Sequence, residues 1–365
     1  MIRLIRNLLL SNPAKTVFKK LLYFFLLGFT SCIDPFRVDV DEGSSILSME
    51  GYITTAPGPH QIKLTRTATY GDVFRDFIRP ETQANVAIRE NETGLVVFLN
   101  ETQRGVYETP QDFSAKFGHR YSLLITTSEG KEYTSFPSLV NDVPQLDSLS
   151  YLTITIPTRD RLNPRSGIQL IAHFQDPPDE LNYYFWNIKN PISTVETFPE
   201  FYRPPRSLPT DPYQPKDCCK YCNIPGYSVS RALFLADDVN FNGLPTSQIA
   251  GYVEDDGFRL SFKYRFLFEQ LAISSETFRY LNLINQQMTL SGGVFDLPPA
   301  NIRGNIVNIS NPDETVLGHF FAAGVSSKQV TLEGAKLNLL QIQRAFNDDC
   351  RELPNSVESE DWFQY

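Results

Sequence analysis

Ile46-Leu-Ser-Met-Glu-Gly-Tyr-Ile-Thr54, the turn Ala56-Pro-Gly-Pro59 and the returning Gln61-Ile-Lys-Leu-Thr-Arg-Thr67 decide the fold. Apolar and polar residues alternate on both sides of the turn, the period of a half-buried strand, so the pair reads as a β-hairpin. The same period returns in Ala84-Asn-Val-Ala-Ile-Arg-Glu90, in Leu95-Val-Val-Phe-Leu99 after an Asn91–Gly94 turn, and in Tyr121-Ser-Leu-Leu-Ile-Thr-Thr127. Short strands at near-regular spacing, with Gly and Asn turns between them, predict an Ig-like or transthyretin-like β-sandwich over residues 46–140. Pro137 to Pro144 marks its expected end.

A second β-rich domain is expected over 145–350. Leu149-Ser-Tyr-Leu-Thr-Ile-Thr-Ile156, Gly167 to Phe174 and Asn182 to Ile188 all read as strands, and others follow around Gly251, Phe258, Tyr264, Val316 and Gln329. Residues 196–226 interrupt them with seven prolines and three cysteines, a long loop in need of a staple. One helix is expected over 275–288. Ser274 caps it, Glu276 suits its positive end, and Phe278, Leu281, Ile284 and Met288 form one apolar face. Glu254-Asp-Asp-Gly257 reads as a hairpin turn, and residues 351–365 as a C-terminal tail.

Upstream of the sandwich, Arg3, Arg6, Lys15, Lys19 and Lys20 precede Leu21 to Phe29, nine mostly apolar residues, and then Thr30-Ser-Cys32. A basic stretch, a short apolar core and small residues before a processing point predict a secretory signal peptide over 1–31. The core is shorter than the roughly 20 residues that a spanning helix needs. Small residues directly before cysteine resemble a bacterial lipobox, which makes Cys32 the expected site of lipidation. Residues 32–45 then form a polar tether.

Removing 1–31 takes five positive charges from a net −9, giving −14. Nucleic acid is excluded as a partner on that balance. In an exported chain the remaining cysteines, Cys218, Cys219, Cys222 and Cys350, are disulfide candidates. Four thiolates also match a structural zinc site, a reading that reducing compartments favour over this one. No metal or other cofactor is expected. The histidines, His60, His119, His173 and His319, stand singly, and the chain has neither His-Glu-x-x-His nor a Gly-x-Ser-x-Gly elbow. Asp238-Val-Asn-Phe-Asn-Gly243 copies the first half of a calcium loop, but Ile249 stands where a bidentate Glu is required, so a turn is the better reading.

Glu50 to Pro59 with Ile62 to Arg66, Phe174-Gln-Asp-Pro-Pro-Asp-Glu-Leu-Asn-Tyr-Tyr184, Pro299 to Asn308 and Val316-Leu-Gly-His-Phe-Phe-Ala-Ala323 together resemble the DUF4249 family of Bacteroidota outer-membrane lipoproteins. The cysteine loop and Cys350 to Trp362 are similar too, although Arg351 stands where members usually carry a further cysteine. The resemblance implies an outer-membrane lipoprotein encoded beside TonB-dependent transporters. The expected function is therefore non-enzymatic: a lipid-anchored, ligand- or partner-binding accessory of such a transporter, held at the outer membrane and facing the cell surface in preference to the periplasm. The alternatives are a structural or adhesive surface protein, or an extracytoplasmic hydrolase with dispersed residues.

Overall fold

The computed structural model describes residues 45–67, 79–157, 164–178, 180–217, 219–226, 232–289, 302–337 and 353–358. The signal peptide, Cys32 and the tether up to Ser44 lie outside the described residues, as do Cys218 and Cys350. Among the described residues the chain is mainly β, with one α-helix and four sheets arranged as tandem sandwich-like bodies.

The opening hairpin forms as its alternation requires. Leu47–Gly51 pairs antiparallel with Gln61–Arg66 in the register Leu47↔Arg66 to Gly51↔Ile62, which puts Leu47, Met49, Ile62 and Leu64 on one buried face. Val106–Glu108 and Asn100–Gln103 extend this sheet. The opposing sheet runs Ile306–Asn308, Glu132–Ser135, Arg120–Thr126, Asn85–Glu90 and Val96–Phe98. Its Val86, Ile88, Leu123 and Ile125 meet the first set in one buried cluster. Tyr107 spans that core and is 1% exposed. Its hydroxyl donates to the Glu81 carbonyl (2.9 Å) and accepts from the Ala84 amide (3.0 Å), so a large ring is buried with no polar atom left over.

Residues 306–322 complete this first body although they lie some 170 positions downstream of it. Ile306–Asn308 pairs with Glu132–Ser135, and Ile306, Val316, Phe320 and Ala322 join the cluster. The crossing is tight. A Cβ at Gly304 would overlap the Gly318 carbonyl oxygen, and one at Gly318, whose φ is +106°, would overlap the Met49 carbonyl oxygen. Three backbones lie against one another here, and only glycine fits.

The second body has a three-stranded sheet, Leu146–Ile156, Arg165–Gln175 and Pro245–Glu254. A seven-stranded sheet faces it, running Ile53–Thr54, Ala322–Glu333, Lys263–Ile273, Tyr183–Glu196, Tyr221–Pro225 and Val357–Glu358, with Phe234–Asp237 beside Tyr183–Glu196. Ile168, Leu170, Ala172 and Phe174 pack against Tyr184, Trp186, Phe266 and Phe268. The expected 254–257 hairpin is not formed. Pro245–Glu254 pairs with Arg165–Gln175, whereas Lys263–Ile273 pairs with two strands of the other sheet, so this segment carries the chain between sheets. Part of the 196–226 loop is strand, since Tyr221–Pro225 pairs with Ile192–Glu196.

The helix spans Ser275–Thr289. The Ser274 hydroxyl accepts from the Thr277 amide (3.2 Å), the cap its sequence position implies. Its packed face matches the expected one at Phe278 and Leu281 and departs from it at Met288. Phe278 and Leu281 reach the core, Thr277 is fully buried, and the Asn285 amide bonds both backbone groups of Leu233, while Met288 is 45% exposed.

Replacing Gly318 by Ala is expected to cost about 2 kcal/mol or more, from positive-φ strain and overlap with a backbone that cannot retreat. Urea unfolding should show a lower midpoint at unchanged m-value.

Candidate functional site

Two surface features of the described residues are built for binding. The first is a cleft of about 330 Å³ on the first sandwich, with Ile88, Leu95, Val97, Phe113 and Tyr121 as apolar walls and Glu90, Asp112 and Lys116 as its charged groups. Glu90 ends the strand Asn85–Glu90 and is 3% exposed. Its carboxylate accepts from the Thr93 hydroxyl (2.7 Å) and from Lys116 Nζ (3.2 Å), and His119 Nδ1 lies 2.5 Å away. The Thr93 hydrogen bond, then Lys116 and His119, hold Glu90 below the ordinary carboxylate range. The Tyr121 hydroxyl accepts from the Lys116 amide (3.0 Å) and so fixes the loop that carries the lysine. Ser114 cannot act as a free hydroxyl, since it donates to the Thr55 carbonyl (2.6 Å). The cleft suits a small ligand with an apolar body and one polar end.

The second feature is the strand Leu146–Ile156. Among the described residues its one strand partner is Arg165–Gln175; Ser326 and Lys328 meet its other edge at Leu146 and Asp147, and that edge is open from Ser148 onward. Residues Ser148 to Ile156 contain no charge, proline or glycine, the devices by which proteins usually blunt an edge. The register sets Leu152, Ile154 and Ile156 on the outer face of the sheet, in line with Ile171 and Ile249. Leu152 is 55% exposed and Ile249 53%. An open backbone ladder flanked by apolar side chains recognises an extended strand from another chain.

On that outer face His173 lies between two hydroxyls, with Nε2 2.7 Å from Ser150 Oγ and Nδ1 2.7 Å from Ser247 Oγ. Serine and imidazole touch, but a hydroxyl stands where a carboxylate would hold an imidazolium, and the row lies on an open sheet. His60 and His319 are pushed down to about 4, chiefly by burial. His60 Nε2 meets the Ala56 carbonyl, whereas His319 stacks on Tyr280 and meets the Thr277 hydroxyl (3.0 Å). These are packing residues of the hairpin and the helix, far apart in sequence.

The expectation for the cysteines is corrected. Cys219 is a thiol, and no disulfide joins it to Cys222, the other described member of the set. The reason is local: Cys219 packs as a small apolar side chain against Val195 and Cys222, and its carbonyl accepts from the Thr197 hydroxyl (2.6 Å). Cys222 is fully buried in the strand Tyr221–Pro225 and is disulfide-bonded. Sequence reasoning found neither the cleft nor the open edge. The uncharged run at 148–156 was the available signal for the edge; nothing local marks Glu90.

Because Glu90 is held below its ordinary range, its contribution to stability is present above the unfolded carboxylate pKa and is lost as pH falls through the folded one. Glu90→Gln should therefore lower the melting temperature at neutral pH, with the deficit shrinking below about pH 4. Thermal unfolding of both proteins across that range checks it.

No curated protein matches the chain. A family profile described as a domain of unknown function, DUF4249, matches residues 33–329. The matched stretch takes in the opening hairpin, the cleft, the open strand and the glycine crossing, and on that span the chain belongs to the DUF4249 family.

Proposed function

We propose that this protein is a lipid-anchored outer-membrane lipoprotein of a Bacteroidota cell that works by binding and not by catalysis, as an accessory of a TonB-dependent nutrient transporter. The observation that carries the proposal is the open, uncharged strand Ser148 to Ile156 with its apolar outer face. An edge of this kind invites self-association unless a partner strand covers it. A large β-structured transporter supplies strands of that chemistry, and the cleft at Glu90 offers a place for a small nutrient beside it.

Attachment rests on the residues ahead of the sandwich. Cys32 follows small residues and a short apolar core, and two or three acyl chains on it hold a protein stably where one chain does not. The mature charge of −14 agrees with a partner other than nucleic acid. Facing the cell surface is the preferred orientation. A structural or adhesive role is the second reading, since the same open strand would serve it.

Purification from detergent-solubilised outer membrane should recover a TonB-dependent transporter with the wild-type protein. Recovery should fall at least about tenfold with Leu152→Lys, which places a charge on the outer face of the open strand, where Leu152 is 55% exposed. Repeated recovery of no transporter sinks the partner claim. Cys32→Ala should abolish incorporation of a fatty-acid probe and release the protein from the membrane fraction; an unchanged membrane fraction and label refute the anchor.

A further inference from the structure

Two stretches singled out in the sequence meet in the second body. Asp176 follows the strand Arg165–Gln175 in the Phe174 to Tyr184 segment, and Asp238 opens the loop that resembles half of a calcium site. Both are 0% exposed. Each carboxylate receives donors from the other's segment. Asp176 Oδ2 accepts from the Gly243 amide (2.9 Å), and Asp238 Oδ2 accepts from the Asn182 amide (2.9 Å) and side chain (3.3 Å). Asp176 Oδ1 takes a 2.5 Å hydrogen bond from the buried Tyr184 hydroxyl. Asp238 Oδ1 is buried with no hydrogen-bond partner, and the two carboxyl groups are close enough to hydrogen-bond each other once one of them carries a proton.

This arrangement lacks a counter-charge. Among the described residues no Lys, Arg or His contacts either carboxylate; Tyr184 is the other titratable group facing them, and the neighbouring Asp237 and Glu180 add negative charge. Two bare carboxylates in contact inside a protein cannot both ionise without a large penalty. A calcium ion would need six to eight oxygens. Three backbone carbonyls around the pair already accept hydrogen bonds: Asp238 from Phe241, Phe241 from Leu244, and Glu180 from both Asn182 and Asn242. One proton, by contrast, satisfies Asp238 Oδ1 and leaves every other hydrogen bond in place.

We propose that Asp176 carries a proton that it donates to Asp238, and that this proton closes a clasp between the 176–182 turn and the 238–243 loop. The turn also forms one wall of a polar cleft of about 330 Å³ with Asn141 and Asp142, so loss of the proton at higher pH loosens that wall. Burial first, and the Asp238 charge after the opposing donors, push Asp176 above its ordinary range. The sign follows: stability from the clasp is complete at low pH and is lost as pH rises through the raised value.

Asp238→Asn tests this on the full chain, because its amide places a fixed donor where Oδ1 stands and keeps the oxygen that Asn182 uses. Melting temperatures of wild type and variant are compared from about pH 5 to about pH 8.5, with EDTA present. Slopes from the buried His60 and His319 are common to both and cancel in the difference. The variant should match wild type at the acid end and exceed it by on the order of 2–4 °C at the alkaline end. A difference that does not change with pH overturns the proposal. So does a wild-type melting temperature that EDTA lowers and Ca²⁺ restores, since a cation would then hold the pair. If the variant fails to fold, the infrared spectrum of wild type decides: a buried carboxylic-acid carbonyl band at neutral pH supports the proton on Asp176, and its absence overturns it.

Discussion

The fold depends on one place where three backbones touch. Gly304, Gly318 and Met49 approach so closely that no side chain fits between them, and this contact holds segment 302–323 against the first hairpin. The strand Ala322–Glu333 is launched from that crossing. Its first residues pair in parallel with Ile53–Thr54 and its remainder pairs with Lys263–Ile273, so a strand of the second body starts inside the first. Core packing on both sides follows from this one alignment. Ala322 belongs to one cluster and Ala323 to another, a change of face that the two-residue period of a strand makes at each step.

A buried polar network lies where the bodies meet. Tyr52, carried by the hairpin, stacks on Phe321 at 4.8 Å, and its hydroxyl accepts from Asn187 and donates to Glu269. Glu269 is 1% exposed and pairs with Lys189 at 3.2 Å. Burial holds Glu269 above the ordinary carboxylate range even beside that lysine, and burial with the Glu269 charge drives Tyr52 up as well. Such a network adds little net stability over a well-packed apolar seam, but removing one member strands the others. It selects one way of joining the two bodies.

Local chemistry was legible and long-range chemistry was not. Alternation alone placed the 46–67 hairpin and its buried face, because Leu47, Met49, Ile62 and Leu64 are enough to fix a register. Ser274 announced the helix start because a cap acts within three residues. The helix face was legible at Phe278 and Leu281, whereas Thr277 and Asn285 are held by hydrogen bonds that periodicity of apolar residues does not register. Ile306 pairing with Ser135, Pro245–Glu254 pairing with Arg165–Gln175, and the Asp176–Asp238 contact each join residues many tens of positions apart. Their partners are set by the assembled sheets and leave no local trace. In the cysteine loop, sequence offered equal candidates, and only the packing of Cys219 against Val195 separated them.

The segment that follows the described start of the chain, 48–54, has 317–323 running alongside it in the same direction, through Ser48↔Leu317, Ile53↔Ala322 and Thr54↔Ala323. Force on residues ahead of Ser45, resisted through the large sheet, pulls these two segments past each other lengthwise. All of the bonds between them then carry load together, and they must break together, whereas a hairpin pulled open at one end gives way bond by bond. A protein held by its front end under flow or under the tug of a moving partner is, by this geometry, strongest along the direction in which it is held.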